Sequence, residues 1–435
     1  MTLELRLADL REILLQEVVE RCEEGYDLDV EEWQASIRGA KEATELAEIY
    51  RKLQDLPMRK GFSYREPSDL KGILMERSAC LPKLEVRLSS GQLYDKVLGA
   101  WLGRIAGCML GKPVEGWKRE WIRDALKKAG EYPLKGPYFP SDVFHGLSGE
   151  QLAYVSSLSR EGIRRAERDD DLDYTVLNLM VYEAKGPSFT SEDVAEAWLN
   201  FLPYCQTYTA ERAAYRNLVI GLKPPETAVF LNPYREWIGA QIRADLWGYV
   251  SPGNPDRAAE LAYRDARLSH TKNGIYGEMY FAAAIALAYA VEEPEALVRG
   301  ALNVIPAQSR LAEAVNYTLN LWRSGIYWEE AIDKVLEKHR SYHPVHTINN
   351  AAIVVAALLW GEGDFAQTIA YAVTAGLDTD CNGATAGSII GLMKGASRLP
   401  EKWVKPLNNT LVSGLSGVGV VSISELAERT VHVIQ

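Results

Sequence analysis

Two runs of glycine constrain this chain more than any other feature: Gly99, Gly103, Gly107 and Gly111 in GAWLGRIAGCMLG, and Gly383, Gly387, Gly391 and Gly395 in GATAGSIIGLMKG. A step of four residues advances only slightly past a helical turn, so each run keeps to one face of a helix. Glycine costs about 1 kcal/mol against alanine at each helical position. Two such ladders imply helix backbones that approach more closely than side chains would allow, and the expectation is close packing beneath a functional site. Small-residue ladders also pair helices in membranes. Arg104 and Lys112 in the first, and Asp380 and Lys394 around the second, argue against that use.

Elsewhere apolar residues recur at three and four, as in RLAEAVNYTLNLWRSG and WEEAIDKVLEKH, and period-two alternation is almost absent. The pattern predicts an all-α fold. Residues 1 to about 85 read as a charged, amphipathic helical accessory segment closed by the loop LPMRKGFSYREPSD, and a second unit runs from about residue 90 to 435. Thr190 with Asp193 predicts a capped helix start before VAEAWLNFL. The longest nearly unbroken apolar run, Met279 to Val291, falls short of the roughly 20 residues that span a bilayer and reads as a buried helix. The amino terminus has no basic region followed by an apolar block, so a cytoplasmic protein without membrane attachment is expected. The formal charge of -11 argues against a nucleic-acid partner, whose binding surface would be basic. Cys22, Cys80, Cys108, Cys205 and Cys381 are odd in number and scattered, which fits reduced thiols.

Two acidic clusters precede apolar helical patterns: Asp169, Asp170, Asp171 and Asp173 in ERDDDLDYTVLNLM, and Asp378 and Asp380 in GLDTDCNG. One such cluster alone could be a solvated helix start that complements the helix dipole. Two of them, each at the mouth of a buried helix, call for a compensating cation, and hard oxygen donors suit Mg²⁺, Mn²⁺ or Ca²⁺. An EF-hand loop fits Asp378, Asp380, Asn382 and Gly383, but Ile389 stands where a bidentate Glu is required. A terpenoid-synthase D-D-x-x-D pattern fits Asp169, Asp170 and Asp173, without that fold's second metal motif.

A third template matches at four places in order. GAWLGRIAGCMLGKPVEG resembles the opening helix and G-D-A-x-G-x-x-x-E loop of the ADP-ribosylglycohydrolase family, with Glu115 in the Glu position. DDDLDYTV resembles its T-D-D-T-x-x-T-L element through Asp170, Asp171 and Thr175, LSHTKNG its Thr/Ser-His segment through His270, and GLDTDCNGATAGSIIG its closing D-T-D-T motif. The resemblance implies a compact orthogonal multi-helix bundle holding two divalent ions, Mg²⁺ or Mn²⁺. It implies hydrolysis of the glycosidic bond between ADP-ribose and a protein side chain or small acceptor. By position, Asp169, Asp170, Asp171, Asp378, Asp380 and Cys381 would bind metal, Glu115 and Asp170 would be catalytic, and His270 and Gly383 would meet substrate. Arg243, beside a Gly/Pro loop, is a further substrate-binding candidate from the sequence itself.

Departures from the family pattern imply a divergent subfamily. Cys108 replaces an Asp, Asp169 and Leu172 replace the two Thr of T-D-D-T, and Cys381 replaces the last Thr of D-T-D-T. A thiol at 381 favours a softer ion or no direct ligation there. Arg243 could meet a phosphate or form a surface ion pair. His339, His343 and His346 have zinc-like spacing, but Pro344 breaks any helix that would align them. Two rivals accompany the glycohydrolase reading: a magnesium-dependent terpenoid synthase, and a member that binds ADP-ribose without turning it over.

Overall fold

The glycine ladders find each other. In the computed structural model, which describes residues 6–78 and 83–435, they lie on the helices Ser90–Gly111 and Thr379–Lys394. A Cβ on Gly99 would stand 2.4 Å from the Gly391 carbonyl oxygen, on Gly103 2.1 Å from that of Gly387, and on Gly107 1.9 Å from that of Gly383. One index rises as the other falls, so the helices run antiparallel. At the end of the seam the Thr379 hydroxyl donates to the Gly111 carbonyl at 2.8 Å. Gly395 closes its helix at φ +77°, with its carbonyl carbon 2.7 Å from where a Cβ on Gly99 would stand.

This pair is the centre of an all-α body. The helices Lys272–Leu287, Thr347–Trp360 and Phe365–Thr374 pack around Thr379–Lys394 and are buried along most of their length. The apolar run from Met279 accordingly sits in the first of these, inside the protein. Among the described residues no helix is long and apolar enough to cross a membrane. Thr190 and Asp193 form the expected reciprocal cap of the helix Ser191–Phe201. The small β element is a hairpin, Thr410–Val412 against Val420–Ser422, antiparallel with Leu411 opposite Val421.

The amino-terminal segment folds as the helices Leu7–Glu23, Val30–Gly39 and Ala43–Gln54. They share a small core of Leu14, Val18, Ile37, Leu46 and Leu53, which Leu231 of the body completes. Their junction with the body is ionic and buried: Arg235 meets Glu17 and Glu24 at 2.7 Å each, and Arg310 meets Glu66 at 2.7 Å and Glu236 at 2.6 Å. The chain that follows is tied down by backbone bonds from Arg65 N to Gln308 O and from Leu84 N to Gly253 O. Cys22, Cys108, Cys205 and Cys381 are free thiols, and Cys80 lies outside the described residues.

Candidate active site

Antiparallel packing of the two glycine helices decides where the chemistry can sit. It sets the carboxyl end of Ser90–Gly111, which continues through Lys112 to Glu115, against the amino end of Thr379–Lys394, which begins at Asp378. Backbone bonds from Gly116 N to Leu377 O (3.0 Å) and from Leu377 N to Trp117 O (3.3 Å) lock the two turns together. Gly376 and Leu377 both take positive φ, 82° and 65°, just ahead of Asp378. For a branched residue that conformation costs about 1–3 kcal/mol, strain of a kind that concentrates at functional sites.

Three acidic elements converge here. Oxygens of Glu115, Asp378 and Asp380 lie within 4.8 Å of one another, and so do ligand atoms of Asp171, Asp380 and Cys381. Asp380 belongs to both trios. It is 4% exposed, and its Oδ1 has no hydrogen-bond partner. The Cys381 thiol donates to Asp171 Oδ2 at 3.1 Å. Asp169 caps the helix Asp170–Lys185 by accepting from Asp171 N at 3.0 Å, and Lys112 forms an ion pair with its other oxygen. Asp170, the first residue of that helix, is half-buried. Both acidic loops therefore face helix amino termini, whose partial positive charge favours carboxylates.

Burial and mutual repulsion push the carboxyls of Asp170, Asp171 and Asp380 well above their usual range, and burial raises Asp378 less steeply. The Cys108 and Cys381 thiols are pushed up by burial and by neighbouring aspartates. Glu115 is exposed as a residue, but its carboxylate lies within 4.8 Å of buried oxygens of Asp378 and Asp380. Desolvation there, with the charges of Asp378 and Asp169, pushes it up to about 7.

Other expected residues lie elsewhere or do something else. Gly383 lies in the helix seam, where a Cβ would meet Gly107 O at 2.4 Å. Arg243 forms no surface ion pair: it is fully buried, reaching Glu211 at 2.7 Å and Asp265 at 3.2 Å, with Tyr174 and Trp198 rings alongside. Its guanidinium is spent inside the body. His270 is buried, shares a 2.8 Å bond with Ser269 through Nδ1, and has an unpartnered Nε2. Burial and Arg243 hold it neutral. Asp173 is satisfied by Arg168 (2.8 Å), Ser413 (2.6 Å) and Gly414 N (2.9 Å). The terpenoid-synthase pattern needs Asp173 as a metal ligand, so that rival loses its third carboxylate.

Sequence reading missed the supports. Arg104 reaches Asp245 at 2.7 Å and the Asp171 carbonyl at 2.6 Å, and Asn350 Oδ1 accepts from Asp378 N at 3.3 Å and Asn382 Nδ2 at 2.8 Å. Arg104, Cys108 and Lys112 recur every four residues beside the glycine face, a signal that could have paired them with the aspartates. Nothing comparable marks Asn350.

A family model described as ADP-ribosylglycohydrolase matches residues 89–435. Among solved structures the chain is similar to an ADP-ribosylglycohydrolase-related protein complex, with 20% identity over 79% of this chain and 98% of that chain and a TM-score of 0.46. No curated protein matches the chain.

Proposed function

Because the chain belongs to the ADP-ribosylglycohydrolase family, we propose that it hydrolyses the glycosidic bond joining ADP-ribose, or a related ribosyl group, to a protein side chain or small acceptor. Its proposed cofactors are two divalent ions, Mg²⁺ or Mn²⁺. One observation carries the reading: Asp380, buried and with an unpartnered oxygen, is shared by two trios of ligand atoms, Glu115–Asp378–Asp380 and Asp171–Asp380–Cys381. So many buried carboxylates fit a pair of dications, and each would offset part of the repulsion that raises their proton affinity. Asp171, Asp378 and Asp380 would hold the ion nearest Asp380, with Asp170 at the rim and Cys381 as a weaker donor. Asp169 is the poorest fit among the expected ligands, since Lys112 already neutralises it.

Bound there, a divalent ion would supply a grip on vicinal ribose hydroxyls and a water of lowered pKa. The protein's own groups do the rest. Desolvation and the charges of Asp378 and Asp169 raise the proton affinity of the Glu115 carboxyl in the metal-free site, and with a dication bound that affinity would fall, favouring the carboxylate. As a carboxylate Glu115 takes a proton from the attacking water while the water oxygen bonds to the anomeric carbon and the bond to the acceptor breaks, and that proton then passes to the acceptor, which leaves neutral. Arg104 and Lys112 hold the Asp169–Asp171 corner, and Asn350 pins the Asp378 turn.

The reading is tested by incubating the protein and Mn²⁺ with ADP-ribosyl-arginine, ADP-ribosyl-serine and an ADP-ribosylated nucleic-acid end, and measuring free ADP-ribose. Release from at least one acceptor, abolished by EDTA and nearly abolished in Asp380→Asn, is expected. ADP-ribose binding with no release from any acceptor would favour the non-catalytic member instead.

A further inference from the structure

A second acidic cluster, far along the sequence from the first, lies between the amino-terminal helices and the body. Glu17, Glu20 and Glu24 fall on one face of the first helix and its cap, and Glu23 lies beside them. Glu17 is paired with Arg21 and Arg235, Glu24 with Arg235 and Lys272, and Glu66 and Glu236 with Arg310. Glu20 has nothing. It is fully buried, and neither carboxylate oxygen has a hydrogen-bond partner; Glu23 Oε2 and the buried His346 Nε2 are unpartnered too. Among these groups six carboxylates face four permanent cations, an excess of two negative charges.

We propose that this cluster is a structural divalent-cation site whose ligands are Glu20 and Glu23, walled by Glu24 and Glu236, which Arg235 and Arg310 already hold. Ligand atoms of Glu20, Glu23 and His346 lie within 4.8 Å of one another, as do those of Glu20, Glu24 and Glu236, and within each trio one ion with oxygen ligands at about 2.3–2.6 Å spans that spread. A single dication cancels the excess charge and satisfies the orphaned oxygens. Protonation of Glu20 would cancel only one of the two excess charges and would leave its second oxygen without a donor. Burial raises Glu20 well above the usual range and Glu23 to about 8, consistent with carboxylates lacking their counter-charge.

The donor set also selects the ion. His346 Nδ1 accepts from Ile348 N at 3.1 Å, capping the helix Thr347–Trp360, so in the neutral ring Nε2 carries the proton and faces Glu23 Oε2 at 3.8 Å. Ligation through Nε2 would break that cap. The site is therefore an all-oxygen one for Ca²⁺, Mg²⁺ or Mn²⁺, with the His346 Nε2–H turned toward its carboxylate wall and not toward the ion. It fastens the amino-terminal helices to the element that carries Asn350.

The test uses the full chain in an Asp171→Asn/Asp380→Asn background, which silences the other centre. Isothermal titration with Mn²⁺ at pH 8 is expected to show about one ion per chain, and Glu20→Gln to weaken its affinity at least tenfold. Glu23→Gln is measured in parallel, so that a folding defect in one variant leaves the other to decide. Absence of Mn²⁺ uptake in the silenced background, or uptake unchanged by both substitutions, overturns the site whatever the enzyme's activity proves to be.

Discussion

The carboxyl of Glu115, pushed up to about 7, sits where a proton must move in the proposed reaction. Glu115→Gln keeps shape and removes the titration. It should leave circular dichroism unchanged and lower kcat by about 10²-fold or more. If Glu115 acts as the base, wild-type kcat/KM rises with pH along an acid limb that disappears in the variant; with Mn²⁺ bound that limb lies below about 7, because the ion offsets the charge of Asp378 that helps to raise the carboxyl. Asp380 and Asp173 form a second contrast. Asp380→Asn removes one of several crowded charges, so the fold should survive or gain stability in chelator while Mn²⁺ binding and turnover fall together. Asp173→Asn breaks an interior contact with Arg168 and Ser413, so thermal melting should drop while Mn²⁺ stoichiometry persists. Titration calorimetry beside a melting curve separates the two. At this scale the sequence announced the acids, because carboxylates bunched ahead of apolar helices have few other uses. It did not announce their partners. Arg243 carries the same charge as Arg104, and only the packed body shows that one serves Glu211 and Asp265 while the other holds Asp171.

Between elements, the glycine seam is what places Glu115 beside Asp378. Gly107→Ala would drive a methyl group to 1.9 Å from the Gly383 carbonyl, a backbone atom that cannot rotate away. The helices must separate, and the expected loss is about 1–3 kcal/mol or more, seen as a lower melting point. Gly91→Ala, in the same helix, meets nothing within 4 Å and should be neutral or stabilising by up to about 1 kcal/mol. Equal effects from the two would mean that the seam is not the constraint. Both ladders and their close packing could be read from spacing alone. Their mutual pairing and antiparallel sense could not, because a four-residue period records which face is bare but not what meets it. The left-handed turn at Leu377 was hidden for a related reason: local sequence would have put that conformation on Gly376 alone.

Across the whole molecule, two carboxylate-rich centres leave the fold short of positive charge, and its stability should follow pH accordingly. Glu115 and Glu23 have pKa values raised from 4.5 to about 7 and about 8. A raised carboxyl stabilises the fold fully below the unfolded value and loses that contribution as pH climbs through the folded one. In EDTA the melting point should therefore fall between about pH 4.5 and 8, and saturating Mn²⁺ should flatten or reverse the trend. A curve unaffected by Mn²⁺ would argue that protons alone balance these sites. The all-helical body was legible in the three-and-four periodicity. The amino-terminal helices read as an accessory because their charges look solvent-facing, whereas Arg235 and Arg310 bury several of them against the body. The central claim is that Asp380 joins two trios of ligands into one metal centre. Anomalous diffraction at the manganese edge, from crystals soaked in Mn²⁺ and ADP-ribose, tests it most directly. The account predicts a manganese peak within bonding distance of an Asp380 carboxylate oxygen, with ribose density beside it; a pocket of Asp171, Asp378 and Asp380 without any manganese peak would contradict it.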